Sequence, residues 1–348
     1  MRAIVYHGVN DLRLEVVPVP RIQSGELLVR VAACGVCPTD IKKIRHGSVS
    51  PPRIFGHETS GTIVKLGARV RGFQVGDRVG LNHHVPCQKC HFCRHRAFAQ
   101  CATYLRTGVT AGFEPAGGGY AEYVRVMPFC LPGVVPIPDG NSFFEGALLE
   151  PVNTVLKAVR LLPLQPNDTV VVIGQGPIGL LFNRILALAG MRVIGSDLLE
   201  ARRTLGRRFG ARQTIDGANA NLPATLQQLT RGRGADAVVV TVPLDAVVVE
   251  SQTVIRGGGS VLLFAHTLRG HETPLDLARI CVDEKALLGS YSSDFTLQAE
   301  VARLVFSRQM DVRSLVTHTF PLDATPDAIE LAAQAKPGVL KVMVTTEA

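Results

Sequence analysis

Residues 173–179 read Ile173-Gly174-Gln175-Gly176-Pro177-Ile178-Gly179, and this stretch decides the fold. Upstream, Thr169 to Ile173 is a β-branched run, as expected of a strand buried on both faces. Downstream, Ile178 to Leu188 is apolar at helical spacing and stops before Gly190, a good C-terminal capping residue. Pro177 suits the first helical turn, where its missing N–H would have no partner anyway. Gly174, Gly176 and Gly179 fit G-x-G-x-x-G. The first makes a tight turn, the second lets a pyrophosphate approach the backbone, and the third lets helix and strand pack closely. Pro177 and Ile178 open a helix whose N-terminal N–H groups suit phosphate oxygens.

A glycine turn alone is weak evidence, so its context decides. A second strand, Met191 to Ser196, ends in Asp197, close to the ~20-residue offset at which an acid meets an adenosine ribose. A carboxylate there accepts hydrogen bonds from the ribose diol and repels the 2′-phosphate of NADP, at roughly 4 kcal/mol for one close pair of like charges. NAD is therefore the expected cofactor. Arg202, Arg203, Arg207 and Arg208 could hold a phosphate instead, but helical spacing puts Arg203 and Arg207 on one face, which reads as solvated surface.

At 348 residues the chain has room for about two domains. Its 46% hydrophobic content is ordinary for a soluble globular protein, and no apolar run approaches the ~18 residues of a membrane span. Met1 to Tyr6 looks like a short strand, without the apolar centre of a signal peptide, so a cytoplasmic protein is expected. The net charge is +8, but the basic residues are scattered, without a basic run interleaved with aromatics. That argues against nucleic acid and for attraction of anionic cofactors. Eight cysteines without a secretion signal point to metal or catalysis before disulfides.

Residues 1–150 carry short strand-like segments (Leu12 to Val17, Glu26 to Ala33, Ser60 to Leu66, Tyr120 to Val126) punctuated by Gly and Pro, an all-β pattern. Over 151–290, strands at 169–173, 191–196, 237–242 and 260–265 alternate with helices, which predicts a doubly wound parallel sheet. The tail, 291–348, reads as a helix (Leu297 to Ser307), a strand (Val316 to Phe320), a helix (Ala324 to Gln334) and a last strand (Val339 to Thr345).

Two sets of metal-ligand types stand in the first segment. Cys87, Cys90, Cys93 and Cys101, in a lobe at 85–103, form C-x2-C-x2-C-x7-C. Four thiolates can close around one tetrahedral Zn²⁺ and leave no open position, the structural kind of site. Disulfides and an iron–sulfur cluster are the competing uses of such ligands. The second set is dispersed: Cys37, then His57 and Glu58 in Gly56-His57-Glu58, then Glu150 before Pro151. Each alone has a bland reading, but together they supply the thiolate, imidazole and carboxylates that a catalytic zinc needs. Neighbours on a regular strand face opposite ways, so His57 and Glu58 can approach one ion only if the backbone turns there. Cys34 reads as packing.

With these motifs in order, the sequence resembles the zinc-dependent medium-chain alcohol dehydrogenases of the sorbitol (polyol) and threonine dehydrogenase branch. The resemblance rests on Gly56-His57-Glu58-x-x-Gly61-x5-Gly67-x-x-Val70, the four-cysteine lobe, Gly118-Gly119-Tyr120-Ala121-Glu122-Tyr123-Val124 and the glycine-rich turn. It implies an α/β protein with a GroES-like β-rich catalytic domain, a Rossmann coenzyme domain, and a tail returning to the first. It implies two zinc ions per chain, with Cys37 and His57 as catalytic ligands and Glu58 and Glu150 as ligands or near-ligands. By the same resemblance Thr39 passes on the substrate proton, Asp40 orients His57, Arg202 lies near the adenosine ribose and Thr154 near the nicotinamide. Lys42 departs from the pattern: relatives carry a histidine there to end the proton relay, and His46 is a poor substitute. The implied activity is NAD-linked interconversion of a secondary alcohol (polyol, sugar or amino-alcohol) and its ketone by a homotetramer or homodimer. A zinc-free quinone or enone reductase, or a non-enzymatic protein on the same fold, are the competing classes.

Overall fold

The structure, a computed structural model, describes residues 1–82, 85–107, 118–265, 270–334 and 336–346. The chain divides into two compact units, one of Met1–Asn153 with Ser292–Ala348, the other of Thr154–Tyr291.

The first unit is built on β1 (Arg2–Gly8), β2 (Asp11–Val16), β3 (Leu27–Gly35), β4 (Glu58–Leu66), β5 (Arg78–Leu81), β6 (Tyr123–Val126) and β7 (Val134–Pro136). The second holds β8 (Thr169–Ile173), β9 (Arg192–Asp197), β10 (Gln213–Asp216), β11 (Ala235–Val240), β12 (Ile255–Leu263) and β13 (Ala286–Gly289). The tail then adds β14 (Val316–Pro321) and β15 (Lys341–Thr345) to the first unit.

In the first unit β15 pairs antiparallel with β3, and β3 in turn with β4, in the sheet order β14-β15-β3-β4-β5-β7. Alternation along β3 and its neighbours turns Leu27, Val29, Val31, Ile63, Val79 and Val124 into one buried cluster. A second cluster gathers Ile4, Tyr6, Phe55, Ile329 and Val344, so residues from both ends of the chain share a core. Each such side chain stabilises the fold by roughly 1.5–3 kcal/mol on burial.

In the second unit the sheet is wholly parallel, in the order β10-β9-β8-β11-β12-β13. The order reverses beside β8, the switch point at which doubly wound sheets bind ligands beyond their strand ends. Val170, Val171 and Val172 are fully buried, which explains why β8 has no polar alternation.

The expected strand over Tyr120 to Val126 begins only at Tyr123, because Tyr120 and Ala121 are drawn to β1: the Ile4 N–H donates to Tyr120 O at 2.9 Å and Ala121 bridges Ala3. The helix Pro38–His46 lies outside the elements expected from the sequence, although Pro38 stands where proline suits a first turn. Strands β10 and β13 lie outside them too: four residues each, they are too short for periodicity to declare them. Among the described residues no helix is long and apolar enough to cross a membrane.

Candidate active site and metal centres

Cys37 caps the helix Pro38–His46 directly beyond the end of β3, and Thr39 and the buried Asp40 follow in the first turn. His57 and Glu58 stand at the entry to β4 after Gly56, whose φ of 95° takes the chain through a turn no ordinary residue adopts without strain. That close bend also presses on Cys34, since a Cβ at Gly56 would fall 2.7 Å from its sulfur. Cys34 is fully buried and its thiol is pushed up to about 12 by burial, so packing is its use. The turn satisfies the condition on the adjacent pair: Cys37, His57 and Glu58 each bring a ligand atom within 4.8 Å of the other two.

His57 Nδ1 lies 3.1 Å from Asp40 Oδ1, and both residues are buried. Burial would lower the His57 pKa, but the Asp40 carboxylate and the Cys37 sulfur outweigh it and hold it well above the ordinary range. Binding of a metal at this imidazole would require it to be neutral, so any such binding would release a proton at low pH. Glu150, on the helix Leu149–Val159, stands outside the 4.8 Å group, although its charge bears on Glu58. Thr154 is buried one turn further along that helix.

One partner carries no signal in the sequence. Lys341, at the start of β15, is buried, and its Nζ donates to Glu58 Oε1 at 2.5 Å and to Val36 O at 3.0 Å. Glu58 Oε2 is equally near, at 2.5 Å, but lies outside hydrogen-bond alignment. Gly35 lies between: it pairs with Glu58 on β4 and with Met343 on β15, and a Cβ there would meet both Glu58 Oε2 and Lys341 Cε. Burial pulls the Lys341 pKa down, but Glu58, then Cys37 and Glu150, raise it, so Lys341 stays an ammonium. The three ligand candidates thus rest on two buried supports, Asp40 behind the imidazole and Lys341 behind the carboxylate.

In the lobe, the ligand atoms of Cys87, Cys90, Cys93 and Cys101 also lie within 4.8 Å of one another, and no disulfide joins them. The Cys87–Cys93 and Cys90–Cys93 sulfur separations are 3.9 and 3.4 Å. A tetrahedron with zinc–sulfur bonds of ~2.3 Å has edges of ~3.8 Å, so the four sulfurs fit one such ion. Backbone N–H groups of Lys89 and Cys90 and the Cys101 sulfur bring the Cys87 thiol down to about 6, against the effect of burial. Burial and the neighbouring sulfurs push Cys93 up to about 12.

At the glycine-rich turn, the helix Pro177–Leu188 starts at Gly176, above which a Cβ would meet nothing within 4 Å, leaving room for a phosphate. A Cβ on Gly179 would instead strike Gly174 O, which is the close packing expected of the third glycine. Asp197 ends β9 and accepts from the N–H groups of Gln175 (2.7 Å) and Leu199 (2.9 Å). Arg202 Nη1 stands 4.0 Å from Asp197 Oδ2, and its buried Nε has no hydrogen-bond partner. Arg203 corrects the solvated-face reading: it is buried, bonded to Glu200 (2.6 Å), Asp216 (3.1 Å) and two carbonyls, because its side chain reaches the C-terminal ends of β9 and β10. Arg207 and Arg208 are exposed as expected.

Fold and site together define a zinc-binding alcohol dehydrogenase. Residues 23–139 match the family described as Alcohol dehydrogenase GroES-like domain, and residues 177–307 the family described as Zinc-binding dehydrogenase. The chain belongs to this family of zinc-dependent medium-chain dehydrogenases, in the polyol dehydrogenase branch, and is an oxidoreductase. It is 30% identical to sorbitol dehydrogenase of Bacillus subtilis over 99% of this chain and 97% of that one. It is 29% identical to the probable D-xylulose reductase A of Aspergillus fumigatus, over 90% of this chain and 88% of that protein. Among solved structures, a zinc-binding dehydrogenase from Sinorhizobium meliloti bound to NADP superposes with a TM-score of 0.89 at 28% identity, covering 99% of this chain and 98% of that one.

One measurement tests the Lys341 support and another the lobe. Lys341→Met should destabilise the protein by about 3–5 kcal/mol in urea, because it strands a buried carboxylate, and adding Glu58→Gln should recover part of the loss. A double-variant loss equal to the sum of the two single-variant losses would show the two side chains are uncoupled. In chelator-treated protein, iodoacetamide at pH 7 should alkylate Cys87 before Cys93, since a thiolate forms above its pKa and, of these two, Cys87 lies below that pH and Cys93 above it. The reverse order would count against the arrangement of the lobe.

Proposed function

We propose that this enzyme interconverts a secondary alcohol of the polyol, sugar or amino-alcohol type and its ketone, with NAD in preference to NADP and two zinc ions per chain. The observation that carries the reading is the convergence of Cys37, His57 and Glu58 over Asp40 and Lys341. Thiolate, imidazole and carboxylate are the donor set of an open catalytic zinc site, and the four-sulfur lobe is that of a closed one. The named relatives, a sorbitol dehydrogenase and a D-xylulose reductase, support the polyol class.

Zinc supplies Lewis acidity toward the substrate oxygen when bound, and the nicotinamide supplies the hydride couple. The chain does the rest. Asp40 fixes the imidazole orientation of His57, and Lys341 fixes Glu58 while offsetting its charge. Thr39, partly accessible in the first turn beyond Cys37, takes the substrate hydroxyl proton and passes it toward solvent. Lys42, in the place of the relay histidine, is partly buried and its pKa is lowered by that burial, so it is an ammonium easier to discharge than an exposed one. Asp197 keeps lone pairs free for the ribose diol after accepting its two N–H groups. Arg202, near that acid, favours the competing NADP reading, since its Nε is unpaired.

No cysteine is joined in a disulfide, which supports a reducing, cytoplasmic setting. For assembly we favour a homodimer or homotetramer. Leu277 and Val282 are 71% and 80% exposed on the helix before β13, and β13 has no outer strand partner among the described residues.

A panel of sorbitol, xylitol, threonine and butanediol, followed by NADH absorbance, should show turnover with at least one polyol or amino-alcohol, faster with NAD than NADP. Cys37→Ser should abolish it and remove about one zinc per chain with an unchanged melting curve, and Asp197→Ser should narrow the NAD preference. Turnover retained in Cys37→Ser would sink the ligand assignment; equal wild-type rates with NADP would favour Arg202 as a phosphate-binding residue.

A further inference from the structure

Under the glycine-rich turn lies a buried polar side chain that the chemistry above does not use. Gln175, the residue between the first two glycines, is fully buried. Its Nε2 donates to Val172 O at 2.9 Å and to Gly174 O at 3.4 Å. Its Oε1 accepts from Asn183 Nδ2 at 2.5 Å, and Asn183, also fully buried on the helix Pro177–Leu188, reaches Gly206 O at 3.4 Å. The backbone N–H of the same Gln175 is the 2.7 Å donor to Asp197 Oδ2.

Space is cleared for this amide on two sides. A Cβ at Gly195 on β9 would fall 2.7 Å from Gln175 Oε1, and one at Gly206 on the helix Glu200–Arg208 would fall 2.5 Å from it. Gly174 O is held from the far side as well, by the Thr241 hydroxyl at 3.0 Å. The peptide after Gly174 is therefore clamped between the end of β8, Thr241 just beyond β11 and the amide, and Gly176 follows it with open space above.

Resting on the reading of this turn as the dinucleotide site, we propose that Gln175 is a positioning residue for the cofactor. Its side chain sets the orientation of the turn that faces the pyrophosphate, and its N–H sets the carboxylate that faces the ribose, so both ends of the adenosine half depend on one residue. Gln175 itself need not touch the cofactor. An apolar side chain of the same length would fill the space but leave the Asn183 amide and the Val172 carbonyl short of a buried partner, and the turn would relax to satisfy them.

The test is cofactor affinity, read by NADH fluorescence and by calorimetry with ADP-ribose on the full zinc-loaded chain, beside steady-state kinetics. Gln175→Met should raise the Kd of both ligands, and the KM for NAD, by about tenfold, as loss of a buried hydrogen-bond set implies. Its kcat at saturating NAD and its KM for the alcohol should move by less than about twofold, because the weakened interactions hold the adenosine half and not the reacting carbon. Gly206→Ala approaches from the opposite side and guards against a variant that does not fold. Alanine is the better helix former, by roughly 1 kcal/mol, which offsets part of the cost of displacing a buried amide, so the melting temperature should fall by only a few degrees while cofactor affinity falls about tenfold. A folded variant with wild-type Kd for both ligands, or one that loses only melting temperature or only kcat, would overturn the proposal. Wild-type protein that binds neither NADH nor NADPH would overturn the dehydrogenase reading itself, a different result.

Discussion

A carboxylate in a protein interior must be met by a cation or give up its charge. Glu58 is met by Lys341, and the position of that pair fixes much of the first unit. The lysine comes from the last strand and the glutamate from the middle of the sheet, and the strand between them must be a glycine where they cross. β3 supplies Gly35 at that point and one residue later releases the chain toward Cys37. The return of the C-terminal segment is thus more than a completion of the sheet. It delivers the counter-charge without which the residue after His57 would be an uncompensated buried anion.

Charge compensation also explains the division of labour around the ligand group. Cys37 and His57 carry the softer donors, and Glu58 is already held by an ammonium, so its negative charge is partly offset before any metal arrives. Asp40 is placed to take up the proton side of His57. The local sum of charge is therefore set by residues drawn from three separate places in the chain, β4, the helix after β3, and β15. Removing any one changes the charge that the others present to a cation.

Much of this is legible in the sequence, and the exceptions have physical reasons. The glycine turn, the acid that ends β9, the four-cysteine lobe and the two-part architecture are carried by residue types whose spacing nearly dictates their geometry. Lys341 is not legible, because a single basic residue at the start of an apolar strand has the pattern of a strand end in water; only the pairing of β15 with β3 shows it facing inward. Arg203 misleads for a related reason. Helical spacing tells which residues share a face, but the long arginine stem can turn toward the strand ends when Glu200 and Asp216 wait there. Gln175 gives no signal because the x positions of G-x-G-x-x-G are treated as free, whereas here the x is the one side chain that points down into the fold.

Absent side chains are as informative here as present ones. Gly35, Gly195 and Gly206 are not at turns, and none needs a positive φ; each marks a point where another residue's polar group crosses the backbone. At Gly35 the crossing groups are charged and serve the ligand group. At Gly195 and Gly206 the crossing group is a neutral amide and braces the glycine-rich turn. A buried polar group costs little only when every partner is in place, so a glycine that admits one commits the neighbouring elements to a single arrangement. That constraint is local in each unit: in the first it falls directly behind the Cys37, His57 and Glu58 group, in the second directly behind the glycine-rich turn.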